Sequence, residues 1–225
     1  MDQANSLRIF QMNYIVGSGY HYRSTWDSEF FQLWKKNTEK YTKDYYVVCT
    51  NVPADCDNVI LLNDNLGHVG DCIKENRDGL CGWSHSVLTL ALIAYGANKD
   101  LIFKESDCIW HGDVPSKLYE DCGDKGMVFG AKMTAAPWMA CAQATFLIKH
   151  WCILGFIRDY LALPSDKDML PEDKFVKLEE QSSNTYGRIS FGVDRQRPIP
   201  WDESVWYAQQ WTQEELDEAR RKGIV

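Results

Sequence analysis

Apolar runs rich in β-branched and aromatic residues recur through the first half of the chain and predict largely buried strands. We expect a strand in each of four such runs, Leu7–Val16, Asp44–Thr50, Val59–Leu62 and Leu101–Phe103. Gly17-Ser18-Gly19 follows the first run and predicts a flexible turn.

Helices are predicted between these strands. Aromatic and apolar residues follow Ser24 at helical spacing, and Ser24 with Asp27 forms a capping box. The segment Ser84–Tyr95 is a second apolar helix, which we expect Gly96 to close. Gly67–Gly82 is rich in glycine and charge, and predicts a loop.

The second half predicts fewer regular elements. We expect a strand at Met127–Met133, a long helix over Cys141–Leu163, a charged loop over Asp166–Gln181 and an edge strand at Ile189–Val193. A Thr212–Glu215 capping box opens a terminal helix.

The order strand, helix, strand, strand, helix, strand predicts an α/β fold with a mainly parallel central sheet flanked by helices and a smaller, irregular second half. A length of 225 residues fits one domain over 1–225, with halves of about 1–115 and 116–225. In open sheets of this kind, ligands bind outside the carboxyl ends of the strands.

Charge and composition exclude several classes of function. A net charge of −8 argues against sequence-independent nucleic-acid binding and against docking on an anionic membrane. No apolar run reaches a spanning length, so membrane insertion is not expected. Eight cysteines without a CxxC pair predict reduced thiols in a cytoplasmic protein. Phosphate-binding GxxxxGK[ST] and GxGxxG loops are also missing from the sequence.

Two acids follow the fourth predicted strand. Glu105 and Asp107 are spaced i, i+2, so on an extended chain both side chains point to the same face. Carboxylates at a strand end suit Mg²⁺ or Mn²⁺ that also binds phosphate oxygens, because these ions take few protein carboxylates. His111, four residues beyond Asp107, is a further candidate metal ligand. The alternative is that these acids only open a solvated loop.

The first half and its Glu105-Ser106-Asp107 motif resemble glycosyltransferases of the GT-A fold, particularly small members from bacterial surface-polysaccharide clusters and large algal viruses. The motif of that family is usually Asp-x-Asp, so Glu105 departs from it. The resemblance implies transfer of a hexosyl or deoxyhexosyl group from a nucleotide-sugar donor, with a UDP-sugar expected, to a glycan hydroxyl. It also implies that Mn²⁺ or Mg²⁺ stabilises the diphosphate leaving group. The two halves would then be a nucleotide-sugar-binding half and an acceptor-side half.

The resemblance also assigns site residues. It implies that Asp107 binds the metal and that Glu105 contacts the donor sugar or the metal. Tyr14, Asn63 and Asp64, at the ends of the first and third predicted strands, would hold the base and the ribose.

Positive charge for the pyrophosphate is expected from the cluster that contains Arg195 and Arg197, because arginine forks match phosphate oxygens. The other basic candidates are Lys104, Lys132 and Arg188. Surface salt bridging is the alternative interpretation of each arginine.

Asp202 and Glu203 resemble the acceptor-side acids of the same fold and are our catalytic candidates. Such an acid can take the proton of the attacking hydroxyl. The alternative is an acidic first turn of a helix. Glu179 and Glu180 are a weaker acidic pair that is expected on a solvated face.

Three other functions stay open at this point. A sugar-nucleotidyltransferase would use the same acids, but it would need a basic glycine-rich loop after the first strand. A catalytically silent glycan-binding module would keep the fold without turnover. A scaffold protein would carry these acids only as surface groups.

Overall fold

The computed structural model describes residues 12–22, 24–49, 51, 54–62, 66–130, 143–193, 195 and 197–225. Asn63, Asp64 and Lys132 lie outside these residues. The strands are Tyr14–Tyr20 (β1), Tyr45–Cys49 (β2), Val59–Leu61 (β3), Asp100–Lys104 (β4), Ile109–His111 (β5), Met127–Phe129 (β6), Thr145–Ile148 (β7), Tyr186–Arg188 (β8) and Trp206–Ala208 (β9). The helices are Thr25–Thr38 (α1), Val69–Lys74 (α2), Gly82–Gly96 (α3), Val114–Cys122 (α4), Ile153–Leu161 (α5), Pro171–Gln181 (α6) and Gln213–Arg221 (α7).

Among the described residues, seven strands form the central sheet in the order β3-β2-β1-β4-β7-β6-β8. β1 pairs in parallel with β2 and β4, β2 with β3, and β6 with β8. β7 is antiparallel to both of its neighbours. The predicted α/β class with a mainly parallel sheet flanked by helices is confirmed.

Three apolar clusters hold the elements together. Residues of α3, α5 and α6 cover one face of the sheet, and residues of α1 and α4 cover the other. The third cluster joins α1 and α7 to a small second sheet, in which β5 and β9 pair antiparallel.

The first strand was predicted too early in the chain. Residues 1–11 lie outside the described part of the chain, and Gly17 and Gly19 belong to β1 rather than to a turn. A Cβ on Gly17 would lie 2.8 Å from the Leu90 side chain, and one on Gly19 would lie 2.9 Å from Ser86 Oγ. These glycines therefore serve the close packing of α3 on β1.

The second half is more regular than the sequence predicts. Instead of one long helix over Cys141–Leu163, the chain forms β7, a 3-10 turn at His150–Cys152 and then α5. Periodicity alone cannot distinguish a short buried strand from a buried helix, which explains this error. The expected loops contain α2 and α6, and the strand expected at Ile189–Val193 lies earlier, as β8.

Both predicted capping boxes are confirmed. α1 follows the Ser24–Asp27 capping box, and α7 follows the Thr212–Glu215 capping box. No helix among the described residues is long and apolar enough to cross a membrane.

Candidate active site

The carboxyl ends of β1 and β4 meet at one edge of the sheet, called here the upper edge. The turn Glu105–Asp107 follows β4 at this edge. Because β7 runs in the opposite direction, its first residues reach the same edge, and the Glu105 amide donates to the Ala144 carbonyl oxygen over 2.8 Å. α3 and α6 also begin at the upper edge, because each leads to a strand that starts at the lower edge.

The Glu105 side chain is held by an indole. Trp83 Nε1 donates to Glu105 Oε1 over 2.9 Å, and Glu105 itself is half-buried. The Trp83 ring lies at centroid distances of 5.5, 6.2 and 5.8 Å from three phenylalanine rings, which are Phe103, Phe146 and Phe175. This packing fixes the indole and therefore the carboxylate that it contacts.

Asp107 completes the acid pair two residues later and is also half-buried. The two carboxylates lie in one turn at the mouth of the sheet, so they fit a cation that draws its remaining ligands from water and phosphate. Within the described ranges, no group of three or more His, Cys, Asp or Glu side chains could enclose a metal ion. A cation at this edge would therefore need ligands in addition to the side chains of the described residues.

Lys104 points to the opposite face of the sheet from Glu105. Its Nζ is fully buried and donates to Asn37 Oδ1 over 2.7 Å and to Thr38 Oγ1 over 2.9 Å. Burial lowers the pKa of the Lys104 ammonium to about 7. Lys104 is consequently not available to a pyrophosphate, and its inclusion among the phosphate-binding candidates was wrong.

His111 lies at the end of β5 that is farther from Asp107, and its assignment as a metal ligand stays a prediction. It ends β5, and its ring contacts Trp206 at a centroid distance of 5.2 Å. The next residue, Gly112, accepts a hydrogen bond from Tyr41, at the end of α1 that is remote from the upper edge. Burial, with Lys40 nearby, lowers the pKa of His111. The extended β5 carries His111 away, which its sequence distance of four residues did not reveal.

Tyr14 lies at the lower edge. It begins β1 and pairs with Asp100, the first residue of β4. Its hydroxyl lies 3.5 Å from the Tyr41 carbonyl oxygen. The prediction that Tyr14 lies at the end of the first strand was wrong, because Tyr14 begins β1. Its contact with the base stays a prediction. Asn63 and Asp64 lie outside the described residues.

Asp202 and Glu203 are exposed and precede β9, at the end of this strand that is remote from Asp107. β9 pairs antiparallel with β5, so Trp206 lies opposite His111 and Ala208 opposite Ile109. Residues before Trp206 therefore lie about 10 Å from the Asp107 turn, measured along the strand direction. The register therefore places these acids apart from Glu105 and Asp107, and their catalytic role stays a prediction.

The two arginine candidates, Arg195 and Arg197, have different surroundings. Arg197 forms an ion pair with Glu215 and donates to the carbonyl oxygens of Gln209 and Gln210, each over 2.9 Å, so it braces α7. Its role as a phosphate ligand stays a prediction. The charge of Arg195 opposes the rise in the pKa of the Glu172 carboxyl that burial causes, and the role of Arg195 as a phosphate ligand stays a prediction.

The remaining charged candidates are paired near the end of β8. Arg188 pairs with Glu179 over 2.7 Å and lies over the Phe129 ring. Glu180 is exposed and pairs with Lys177 over 3.0 Å. Glu180 therefore lies on a solvated face as expected, whereas Glu179 is half-buried.

Two residues at the upper edge were missed by the sequence analysis. Glu172 is 7% exposed, and burial raises the pKa of its carboxyl while Arg195 opposes that shift. Gln209 follows β9 at its Asp107 end and is fully buried, with no hydrogen-bond partner for either side-chain amide atom among the described residues. Glu172 falls within the segment predicted as a loop, and a lone glutamine carries no sequence signal.

Solved structures of other proteins resemble this chain in fold, although comparisons by sequence find no relative. No protein-family model matches the chain, and no curated protein matches it. A glycosyltransferase involved in glycosylation of the major capsid of PBCV-1 aligns with a TM-score of 0.53 and 9% identity, covering 93% of this chain and 99% of that one. The mannosyltransferase PcManGT of Pyrobaculum calidifontis, solved with GDP-Man and Mn²⁺, aligns with a TM-score of 0.51 and 10% identity over 96% of this chain and 62% of its own.

The glycosyltransferase GlyE of Streptococcus pneumoniae TIGR4 aligns with a TM-score of 0.44 and 12% identity over 80% of this chain. The alignment spans 45% of GlyE, less than half of that protein. The chain has a GT-A-like glycosyltransferase fold, in which Glu105-Ser106-Asp107 lies at the upper edge of a mainly parallel seven-stranded sheet.

Proposed function

We propose that this protein is a glycosyltransferase that moves a hexosyl or deoxyhexosyl group from a nucleotide-sugar donor to a glycan hydroxyl. The observation that carries the proposal is the acid pair at the upper edge, where Trp83 holds the Glu105 carboxylate and Asp107 follows in the same turn. The fold supports the assignment, because its ligands bind at the carboxyl ends of the strands.

Asp107, with Glu105, would hold Mn²⁺ or Mg²⁺ against the diphosphate of the donor. When bound, the cation neutralises the negative charge that develops on the leaving group. Trp83 donates a hydrogen bond to one oxygen of Glu105 and so fixes the orientation of the carboxylate that would meet the cation or a sugar hydroxyl. Asn63 and Asp64, which follow β3, remain the proposed contacts of the ribose.

On the acceptor side, the geometry favours Glu172 over the acids at 202 and 203. In the transfer, the bond between the anomeric carbon and the phosphate oxygen breaks, and a bond to the acceptor oxygen forms. The acceptor hydroxyl loses its proton to Glu172, and the nucleoside diphosphate leaves. Burial raises the pKa of the Glu172 carboxyl, which makes its carboxylate a better proton acceptor than an exposed one.

The rival functions receive less support. A sugar-nucleotidyltransferase would need a basic glycine-rich loop after the first strand, whereas Gly17 and Gly19 lie within β1. A silent glycan-binding module would bind sugars without releasing a nucleoside diphosphate, so the activity test below separates it from an enzyme.

The test is a donor screen. The protein is incubated with UDP- and GDP-sugars and Mn²⁺, and released UDP or GDP is measured with water or added glycans as acceptor. We expect release from one donor class, lost in Asp107→Asn and retained in Lys36→Met, an exposed α1 variant. Release that is equal in the wild type and Asp107→Asn would contradict the proposed site.

A further inference from the structure

A fully buried ion pair lies beside the candidate site. Lys174 Nζ, from α6, is 2.5 Å from Asp166 Oδ1, and both side chains have an exposed fraction of 0%. Removing two charges from water costs free energy that their attraction often fails to recover, and apolar replacements of buried pairs are commonly neutral or stabilising. Stability alone is therefore a weak explanation for this pair.

The pair is connected to the first turn of α3. Asp166 Oδ2 accepts a hydrogen bond from the Cys81 amide over 2.7 Å, and the Asp166 amide donates to the Gly79 carbonyl oxygen over 2.9 Å. Cys81 is the N-cap of α3 but provides no side-chain cap of its own. Asp166 thus supplies, from a distant part of the chain, the acceptor and the negative charge that this helix end favours.

The contacts made by Asp166 and the helix that carries Lys174 both lead to Trp83. Cys81, which Asp166 holds, lies two residues before Trp83 in α3. Phe175, which follows Lys174 in α6, packs against the Trp83 ring at a centroid distance of 5.8 Å. A change in the distance between the starts of α3 and α6 would therefore move the indole that contacts Glu105.

We propose that Asp166 and Lys174 are positioning residues, which join the starts of α3 and α6 so that Trp83 presents its N–H to Glu105. The ion pair acts on the acid pair only through Trp83 and touches neither metal nor donor. The inference rests on the proposed function for its ligand, a nucleoside diphosphate with Mn²⁺.

Two double variants separate positioning from packing. Asp166→Leu/Lys174→Met fills a similar volume but removes the acceptor for the Cys81 amide and the link to α6. Asp166→Asn/Lys174→Gln removes both charges but keeps an amide oxygen for Cys81 and a hydrogen bond between positions 166 and 174. Leu216→Ala, on the buried face of α7, controls for a loss of stability alone.

The first readout is the calorimetric affinity for UDP or GDP with Mn²⁺. We expect the apolar pair to lose about tenfold, the size of one hydrogen bond to a charged group. The amide pair and Leu216→Ala should stay within about twofold of the wild type. In a Trp83→Phe background, the apolar pair should cause no further loss, because its route to Glu105 is already broken. An additive loss in that background would overturn the proposal.

The second readout needs no ligand and separates this inference from the proposed function. The indole N–H of Trp83, assigned in ¹⁵N spectra by its disappearance in Trp83→Phe, should shift and exchange faster in the apolar pair, but not in the amide pair. An unchanged indole signal in the apolar pair would overturn the proposal even if the protein binds no diphosphate. If the apolar pair does not fold, Asp166→Asn/Lys174→Met should show the same changes, and wild-type behaviour there would contradict the inference.

Discussion

Replacing Lys104 with methionine should remove a pH dependence of the free energy of unfolding. Lys104 is fully buried among Asn37, Thr38 and two indole rings, with Nζ 5.4 Å from the Trp34 centroid and 4.8 Å from that of Trp110. These contacts do not include a carboxylate hydrogen-bonded to Nζ among the described residues. Burial lowers the pKa from 10.5 to about 7.

The sign of the effect follows from proton binding. Between pH 7 and pH 10.5 the unfolded chain holds a proton on Lys104 that the folded protein has released, so the free energy of unfolding rises with pH. With these two pKa values, the rise from pH 7 to pH 9 is about 2 kcal/mol. Lys104→Met cannot titrate and should lack this rise.

The assay is urea denaturation of the wild type and Lys104→Met at pH 7 and pH 9. Thiols and phenols also titrate near pH 9, but their contributions cancel when the two proteins are compared at each pH. Lys36→Met is the matched control, because it removes an exposed lysine of α1 and should keep the pH dependence. The same difference between wild type and Lys104→Met at both pH values would refute the account of a neutral buried amine.

Three further predictions test particular contacts. Gly112→Ala should lower the free energy of unfolding, measured by thermal unfolding, by at least about 2 kcal/mol, because φ is +69° and a Cβ would lie 1.9 Å from the Ser204 carbonyl oxygen. Gly96→Ala is the control, since it lies in an open helical position and should not destabilise the protein. Arg197→Met should lower stability in urea by about 1–2 kcal/mol without changing calorimetric diphosphate affinity; a loss of affinity would return Arg197 to the phosphate site. Glu172→Gln should slow turnover about 100-fold in the donor assay while leaving diphosphate affinity unchanged, and unaltered turnover would remove Glu172 from the mechanism.

The sequence predicts best where local chemistry decides the structure. The capping boxes at Ser24 and Thr212 correctly start α1 and α7, because each satisfies helix-end amides without help from distant residues. The acid pair is also correctly placed at a strand end, since the apolar run before Glu105 stops there.

The sequence predicts least where distant elements decide the structure. Thr145–Ile148 pairs with β4, and only that tertiary pairing distinguishes it from a helix. Glu172 lies in the first turn of α6, a helix that forms in a charged segment where the sequence predicts a loop.

The most direct test of the proposed site is calorimetric titration of UDP and GDP, with and without Mn²⁺, into the wild type and Asp107→Asn. The account predicts that one diphosphate binds the wild type only when Mn²⁺ is present, and that Asp107→Asn loses this binding while its thermal unfolding is unchanged. Failure of both diphosphates to bind a folded wild type, or binding that is equal in Asp107→Asn, would contradict the account and leave Glu105 and Asp107 as surface acids.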